Sequence, residues 1–305
     1  MLNYLAAARA AQLQGAHDRR DTYIDLAHET MPSADVAVHL TQAELQLAGQ
    51  QLDHALATLK RLRSVAPRHV YMLRLLRRLY EQLGDWEHLR ELLPELRRRR
   101  VEQEDDLKLL EARTHRALLE RAFLSADARR LGMAWAEVPR ALREQPQILG
   151  DYSGYLQELG RDAEAEALLR GAMRKHWDSG LVETYGLLET ADPGKQLSYM
   201  EQRLTDHPDD PVLLLTLGRL SLRAKLWGKA RGYLEACIGR NGPPQAYREL
   251  GQLLERMHQP EQAIEVYRQG LSGSGGPDPV PLPQDIGNLQ DKRAMLGEQV
   301  QQPAR

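Results

Sequence analysis

The sequence predicts an all-α fold, an α-solenoid of about eight helical hairpins that forms a curved superhelix with a concave groove. Three observations lead to this prediction. The apolar residues are mostly Leu and Ala with a single Phe, which favours helices over strands. Apolar residues recur at the spacing of one helical face in segment after segment. These segments repeat with a period of about 34 residues, and stacking buries the apolar face that each repeat leaves open.

Length, charge and cysteine content exclude several classes of protein. The 305 residues are 42% hydrophobic and 28% charged, which is enough for a folded domain with a large core. A net charge of −2 argues against a polyanion binder, and the single cysteine excludes a disulfide framework and a multi-thiolate metal site. The sequence shows neither a window of about 18 apolar residues nor a signal peptide. Because a helical pattern follows Met1 directly, we expect a domain cut from a longer protein, and any membrane anchor upstream of residue 1 would not be visible in this sequence.

The pattern of the tetratricopeptide repeat (TPR), two helices in about 34 residues, fits the chain at regular intervals. Repeats begin near residues 1, 36, 70, 146, 211 and 244. In three of them a glycine falls at the turn between the two helices: Gly15, Gly84 and Gly160. In four of them an alanine falls where the two helices touch, and a bulkier side chain there would push the helices apart: Ala55, Ala165, Ala230 and Ala263.

Two stretches fit the repeat poorly. Residues 103–143 predict two longer helices with Trp135 and Leu142 buried, and residues 177–207 predict a degenerate helix pair. The predicted TPR-like domain therefore spans residues 1–271. From residue 272 the sequence "SGSGGPDPVPLPQD" is rich in Gly and Pro, so residues 272–305 are expected to form a largely disordered tail.

The stretch "LWGKARGYL" contains a Gly-Lys pair, Gly228-Lys229, that could suggest a phosphate-binding loop. A P-loop needs two glycines separated by four residues, then Lys, then Ser or Thr, after a strand. The first glycine is missing because Arg223 stands at its place, Ala230 follows the lysine, and the preceding segment is helical. We therefore expect Trp227 and Ala230 to form a packing corner between two helices.

Other catalytic signatures are absent from the sequence as well. The ten histidines are scattered without zinc-protease spacing, and most are expected on helix surfaces or in turns. His69 and His176 are the most interesting of them, because each lies beside basic residues near a repeat edge. Cys237 occupies a core position and is expected to be an inert, packed thiol. The sequence thus predicts no catalytic residue, no metal ligand and no enzyme.

Arginines recur at the positions that would line the concave groove, which in TPR architecture belong to the first helix of each repeat. A guanidinium group binds carboxylate or phosphate oxygens in a bidentate manner, so these positions suit an anionic partner. The alternative is that exposed helix faces are simply rich in arginine. The candidate groove residues are Arg9, Tyr71, Arg74, Arg78, Arg219, Arg223, Arg248 and Arg256.

A second basic feature ends in the run "RRRR" at residues 97–100. Residues 60–100 contain 12 Lys and Arg against 5 Asp and Glu. Four acidic residues follow within 102–106, so we expect the charges to satisfy one another across a helix–helix connection. A patch that binds anionic lipids is the alternative. Nucleic acid is disfavoured because aromatic residues are not interleaved with the basic ones.

Six segments between about residues 2 and 271 carry a more specific resemblance than the repeat pattern: "NYLAAARAAQLQG", "LTQAELQLAGQQLDHALATLKRL", "LLRRLYEQLGDWEHLRELLPELRRR", "LVETYG", "HPDDPVLLLTLGRL" and "WGKARGYLEACI". In wording and in order they resemble the C-terminal TPR region of the HemY family of bacterial protoheme IX biogenesis proteins. The resemblance implies a non-catalytic protein of late haem biosynthesis at the bacterial inner membrane. It also implies an N-terminal anchor absent from this chain and a TPR part that faces the cytoplasm.

Two functions remain open at the level of sequence. The first is a scaffold whose groove holds proteins of the terminal haem pathway. The second is a module that binds haem or a porphyrin directly, for regulation or hand-off. No haem ligation motif is present, so no cofactor is predicted, and the ligand of a bound haem would be unknown. In the second case arginines such as Arg74, Arg78, Arg219 and Arg223 could meet the propionates.

Overall fold

A computed structural model of the chain describes residues 2–30 and 34–272, and these form seventeen α-helices without a strand. No helix within these ranges is long and apolar enough to cross a membrane. A short 3-10 helix, Gln202–Thr205, follows α13. The helices are α1 Leu2–Leu13, α2 His17–Thr30, α3 Asp35–Ala48, α4 Leu52–Val65, α5 Val70–Leu83, α6 Trp86–Arg98, α7 Glu104–Leu124, α8 Ala128–Glu137, α9 Arg140–Arg143, α10 Pro146–Glu158, α11 Asp162–Lys175, α12 Ser179–Leu187, α13 Pro193–Glu201, α14 Pro211–Arg223, α15 Trp227–Gly239, α16 Pro244–Arg256 and α17 Pro260–Ser272.

Apart from the one-turn helix α9, the described helices follow one another as eight consecutive pairs. Short turns join the two helices of a pair, and the pairs α1/α2, α3/α4, α14/α15 and α16/α17 pack most extensively. In the pair α12/α13, the rings of Tyr185 and Tyr199 lie 5.8 Å apart. This arrangement confirms the predicted all-α, TPR-like solenoid. Of the predicted tail, residues 272–305, Ser272 is the last residue of α17 and the others lie outside the described residues.

The chain divides into two compact units, Met1–Thr184 and Tyr185–Arg305. The first unit contains helices α1 to α11 and the beginning of α12. The second contains the end of α12 and helices α13 to α17. Each unit is built from helix pairs and has its own buried core.

The sequence starts and ends the helices with recognisable signals. Aspartates cap several helices, because a carboxylate accepts the backbone N–H groups that the first turn leaves unpaired. Asp85 accepts from His88 N at 3.3 Å, and Asp210 accepts from Val212 N at 2.9 Å. The three predicted turn glycines adopt the left-handed conformation that glycine tolerates best, with φ of 70° at Gly15, 65° at Gly84 and 71° at Gly160.

Small residues let the two helices of a pair approach closely, as predicted. The four alanines predicted at helix contacts, Ala55, Ala165, Ala230 and Ala263, are each 0% exposed. Glycines act in the same way at one repeated position. A Cβ added at Gly218 of α14 would lie 2.8 Å from Leu234 Cδ2 of α15, and one at Gly251 of α16 would overlap the ring of Tyr267 of α17.

The irregular middle differs from the prediction for residues 103–143. Three helices form there instead of two, because Pro139 follows α8 and the chain restarts as the short α9. Leu142 is buried as expected, but Trp135 is only half-buried, so its predicted burial was wrong. Tyr152 covers one face of the Trp135 ring, at 4.1 Å between centroids and 2° between planes. The Trp135 side chain also lines a cavity.

Candidate binding surface and ligand cavity

In the Met1–Thr184 unit the first helices of successive pairs lie side by side: α1, α3, α5, α7 and α10. Helix α1 contacts α3, α3 contacts α5, and α7 contacts α10. An ion pair between Arg113 and Glu81, 3.4 Å long, joins α7 to α5. We call this layer of five helices the first-helix surface. It carries the candidate groove residues of this unit: Arg9, Tyr71, Arg74 and Arg78.

Two candidate residues from two helices, Arg9 of α1 and Tyr71 of α5, contact Glu44 of α3. Arg9 Nη2 of α1 lies 3.2 Å from Glu44 Oε2, and Tyr71 of α5 hydrogen-bonds to the same carboxylate. Burial, followed by the charge and hydrogen bond of Glu44, raises the pKa of Tyr71, while the charges of Arg78 and Arg9 oppose the shift. The Arg78 side chain is exposed. The result is a cationic and phenolic cluster that opens to solvent.

Arg74 has a structural position on the same surface. Its guanidinium donates to the backbone oxygen of Val101 at 2.9 Å and lies 3.6 Å from Glu102. Arg77, which the sequence analysis did not select, lies 3.5 Å from Glu102 and 3.0 Å from Glu81. These contacts tie α5 to the segment that precedes α7. Arg74 is therefore already engaged within the chain.

In the Tyr185–Arg305 unit two candidate arginines are also engaged within the protein. Arg219 Nε of α14 lies 2.8 Å from Glu249 Oε1 of α16, and the two side chains are only 10% and 14% exposed. Arg223 donates to the backbone oxygens of Gly186 and Leu188 at the end of α12. Burial is the main reason that the pKa of Arg223 is lowered. Both arginines therefore hold neighbouring first helices together.

The structure thus divides the candidate residues into two groups. Arg74, Arg219 and Arg223 bind backbone oxygens or carboxylates of their own unit. The other candidates are exposed to solvent or contact Glu44, and Arg248 and Arg256 lie exposed on α16. Partner binding stays a prediction for these five residues: Arg9, Tyr71, Arg78, Arg248 and Arg256.

The carboxylates that meet these arginines were missed by the sequence analysis. Glu44 pairs with Arg9, Glu249 pairs with Arg219, and Asp151 lies 2.6 Å from Arg116 between α10 and α7. One signal was available for the first pair. Glu44 occupies the same repeat position as Arg9 and Arg78, so the charge alternates along the first three repeats. Such alternation predicts ion pairs between neighbouring first helices.

A separate feature of the first unit is a cavity of about 730 Å³. It lies among α8, α9, α10, α11 and the beginning of α12, in the irregular region that the repeat pattern described poorly. Apolar side chains and small residues form its walls, among them Trp135, Leu149, Leu168 and Leu181. This volume lies within the usual range for small-molecule sites.

Basic side chains surround this cavity. Its lining includes Arg140, Arg143, Lys175 and His176, and Glu144 is the one acidic residue among the described residues that line it. Arg143 is fixed in place, because it donates to Val138 O at 2.7 Å and to Ala136 O at 3.1 Å. Its guanidinium lies 6.0 Å from the centroid of the Trp135 ring. Apolar walls with a cationic rim suit a flat apolar molecule that carries carboxylates.

The Gly228-Lys229 pair belongs to helix α15 and carries no phosphate loop. Lys229 Nζ lies 2.8 Å from Glu201 Oε1, and the hydroxyl of Tyr233 donates to the same oxygen at 2.8 Å. Ala230 is buried as predicted. Trp227 is 43% exposed, so the prediction that it packs into the corner between the two helices was wrong. As the first residue of α15 it sits at the helix end, where its indole reaches solvent.

The remaining candidate groups have structural surroundings. Cys237 is buried as predicted, and its thiol donates to the backbone oxygen of Pro211 at 3.1 Å. His69 caps α5 by accepting from Met72 N at 3.4 Å. Arg97 of the basic run lies 2.8 Å from Glu111 of α7 and 3.7 Å from Glu104, as expected for charges that satisfy one another. Among the described residues one group could hold a metal ion: His28, Asp35 and His39.

The stacked helix pairs and the charged first-helix surface define a TPR-like α-solenoid, a class whose repeats present an extended surface. Over 271 residues the chain is 27% identical to Protein HemY of Escherichia coli strain K12, covering 89% of the chain and 68% of that protein. Protein HemY of Shigella flexneri matches with the same identity and coverage. The predicted resemblance is confirmed: over most of its length the chain is similar to Protein HemY. No family model matches it.

Solved structures of helical-repeat proteins overlap with the chain only loosely. The type IV pilus biogenesis factor PilW is 14% identical with a TM-score of 0.33, over 84% of this chain and 98% of that one. A TPR protein of Parabacteroides merdae is 12% identical with a TM-score of 0.34, over 96% and 98%. Yeast Tom70 is 10% identical with a TM-score of 0.34, over 88% and 68%. Overlaps at this level carry nothing about function.

Proposed function

We propose that the chain is a non-catalytic scaffold that holds proteins of the terminal haem pathway at the bacterial inner membrane, with its repeats on the cytoplasmic side. The observation that carries this proposal is the similarity to HemY, which extends over 271 residues of helical repeats. A link to haem biosynthesis follows from that resemblance. The particular partners and the place at the membrane are the proposed part.

The exposed arginines would take the partner's acidic groups. Arg9 and Tyr71 contact one carboxylate, Glu44, the charge of Arg78 acts on Tyr71, and both arginines are exposed to solvent. A carboxylate of a partner segment could bind Arg78 directly, because that side chain is exposed. Arg74, Arg219 and Arg223 would support this function indirectly, because their contacts within the chain hold neighbouring elements together. Partner binding therefore depends on the exposed set, and folding depends on the engaged set.

A charge-reversal experiment tests this proposal. We expect Arg78→Glu and the double change Arg248→Glu with Arg256→Glu to reduce the recovery of terminal haem-pathway enzymes when the protein is used as bait in an extract of its own host. The matched control is Lys60→Glu, which reverses an exposed charge on α4, a second helix of the same unit as Arg78. Unchanged recovery with the first two variants would contradict the proposed surface.

A second candidate function is direct binding of haem or a porphyrin, and the cavity near Trp135 favours it. Its volume of about 730 Å³, apolar walls and cationic rim fit a planar molecule with two carboxylates. Arg140 and Lys175 lie 3.4 Å and 3.7 Å from Glu144, so a ligand carboxylate would compete with that side chain for them. Arg143 is already held by backbone oxygens and needs little rearrangement.

Titration with haemin separates the second candidate from the first. We expect a saturable shift of the Soret band together with quenching of tryptophan fluorescence, both weakened by Arg140→Glu with Lys175→Glu. Arg129→Glu is the control, because Arg129 is exposed on α8 and does not line the cavity. The absence of a saturable Soret shift at micromolar haemin would exclude haem binding. That result would not contradict the scaffold function.

A further inference from the structure

Three side chains of types that can bind a metal ion lie together at the junction between α2 and α3. His28 lies in the last turn of α2, Asp35 is the first residue of α3, and His39 lies one turn later. One ligand atom from each residue lies within 4.8 Å of the other two. Spacing in the sequence gives no hint of this meeting, because 11 positions separate the two histidines and no regular motif joins them.

One carboxylate oxygen faces both imidazoles. Asp35 Oδ1 lies 3.1 Å from His28 Nδ1 and 3.1 Å from His39 Nδ1. The two rings meet edge to face, with centroids 4.4 Å apart. His39 is nearly buried at 8% exposure of its side chain, whereas Asp35 is 45% exposed. The group is therefore held on its protein side and open to water on the aspartate side.

We propose that His28, Asp35 and His39 form a site for one divalent transition-metal ion of the zinc class. Zinc bonds of about 2.0–2.1 Å in tetrahedral geometry place neighbouring ligand atoms about 3.3 Å apart, close to the two separations found here. Two imidazoles and a carboxylate are ligands that zinc and cobalt accept readily. Three protein ligands leave a fourth position for water on the open side.

The surrounding groups are compatible with a cation. Burial and then the neighbouring His39 lower the pKa of His28, whereas the charges of Asp35 and Asp25 act in the opposite direction. The positive charge of Arg61 also lowers the pKa of His28. The charges of Asp35 and Asp25 that act on His28 would favour a bound cation, and the charge of Arg61 would oppose it. His39 Nδ1 is also 2.9 Å from the backbone oxygen of Asp35. Metal binding through this nitrogen would replace that hydrogen bond, because a nitrogen that binds the metal carries no proton.

A metal ion at this position would act as a structural link. His28 belongs to the first helix pair, and Asp35 and His39 belong to the second. Because metal binding favours the state in which the ligands are together, it would add to the stability of the α2–α3 junction. This role is independent of the scaffold and of the haem-binding function proposed above.

The test uses untagged full-length protein freed of metal by a chelator, so that no histidine tag competes. Isothermal titration with Zn²⁺ is expected to show one site per chain, and Co²⁺ is expected to give the visible spectrum of a tetrahedral complex. His28→Gln and Asp35→Asn should each weaken zinc binding at least about tenfold, since even second-shell changes typically cost that much. The melting temperature should rise with Zn²⁺ in the wild type and not in these variants.

His88→Gln is the matched control, because His88 Nδ1 also lies close to an aspartate, 2.7 Å from Asp85 Oδ2, but as a two-residue pair. It should bind zinc like the wild type. Circular dichroism without metal establishes that each variant is folded, and the cobalt spectrum of the wild type tests the ligand set without any substitution. The proposal is overturned if the wild type shows no saturable site, if His28→Gln and Asp35→Asn bind like the wild type, or if His88→Gln weakens binding equally.

Discussion

Arg219 shows how burial changes the importance of a single ion pair. Its partner Glu249 lies on the neighbouring first helix, 2.8 Å away, with both side chains largely out of water. Removal of one partner leaves the other charge buried without its counter-ion. We expect Arg219→Ala to lower the free energy of unfolding by about 3 kcal/mol. Urea denaturation followed by circular dichroism measures this change.

Arg9 offers the matched exposed pair for the same experiment. It also joins two first helices through one carboxylate, Glu44, at 3.2 Å, but its side chain is 59% exposed. Exposed pairs contribute less than about 1 kcal/mol, so Arg9→Ala should cost no more than that. Equal losses for Arg219→Ala and Arg9→Ala would show that burial does not control these contacts.

Cys237 provides a second prediction at the scale of one residue. Burial, as the largest cause, raises the pKa of the thiol from 9.0 to about 11. At pH 8 the thiolate fraction is then about 100-fold lower than in the unfolded chain. We expect slow reaction with Ellman's reagent in the native protein and fast reaction in guanidinium chloride, with Cys237→Ala as the blank. Equal rates at pH 8 would contradict the burial of this thiol.

The raised pKa of Cys237 also makes the folded state less stable at alkaline pH. The folded state favours the neutral thiol, so the unfolded chain loses its proton first as the pH rises. The contribution of Cys237 is fully present below about pH 9 and is lost as the pH rises towards 11. The Cys237→Ala variant should lack this part of the alkaline destabilisation.

At the scale of residues, the sequence predicted which small residues lie at helix contacts better than it predicted which charged residues pair. The small residues at helix contacts, such as Ala55 and Ala230, follow from the repeat pattern because close helix approach constrains size. The partners Glu44 and Glu249 lie about one repeat away from Arg9 and Arg219, and composition alone does not connect such distant positions. The three-residue group around Asp35 depends on side-chain geometry at one turn, which periodicity does not encode.

Helix pairs test the role of small residues at the scale of elements. Gly251 of α16 lies against the ring of Tyr267 of α17, where an added Cβ has no room. We expect Gly251→Ala to lower the free energy of unfolding by about 1–3 kcal/mol through overpacking, despite the better helix propensity of alanine. Urea denaturation of the full chain measures the effect.

Gly232 is the control for this prediction because it lies within α15 and a Cβ there meets no atom within 4 Å. Gly232→Ala should therefore raise the free energy of unfolding by up to about 1 kcal/mol. Opposite signs for the two substitutions would support close helix packing. A gain in stability from both would mean that the α16–α17 contact is looser than the structure shows.

The elements themselves were predictable where the repeat is regular. Turn glycines and helix-contact alanines marked the pairs around Gly84 and Ala230 correctly. Residues 103–143 were less predictable, because the 21-residue helix α7 exceeds the repeat and Pro139 separates α8 from the short α9. Trp135 looked like a core residue from its spacing, yet it faces a cavity that only the tertiary packing of α8 to α11 creates.

At the scale of the whole molecule, basic and acidic residues largely neutralise each other within the chain. The net charge is −2 despite 41 Lys and Arg residues. The excess of basic residues in 60–100 is met partly by acidic residues of α7 and α8, as in the contacts of Arg97 with Glu111 and of Arg90 with Glu137. A local cationic run in the sequence is therefore weak evidence for a lipid-binding patch in this chain.

The division into the units Met1–Thr184 and Tyr185–Arg305 leads to a prediction about cooperativity. In repeat proteins each element contacts mainly its neighbours, so stability is distributed along the chain and need not be uniform. The shorter unit has less core to bury and should open first. We expect native-state hydrogen exchange in increasing urea to give opening free energies that differ by more than about 1 kcal/mol between peptides from α14–α17 and those from α3–α6. Coincident values throughout both sets would show that the chain unfolds as one cooperative body.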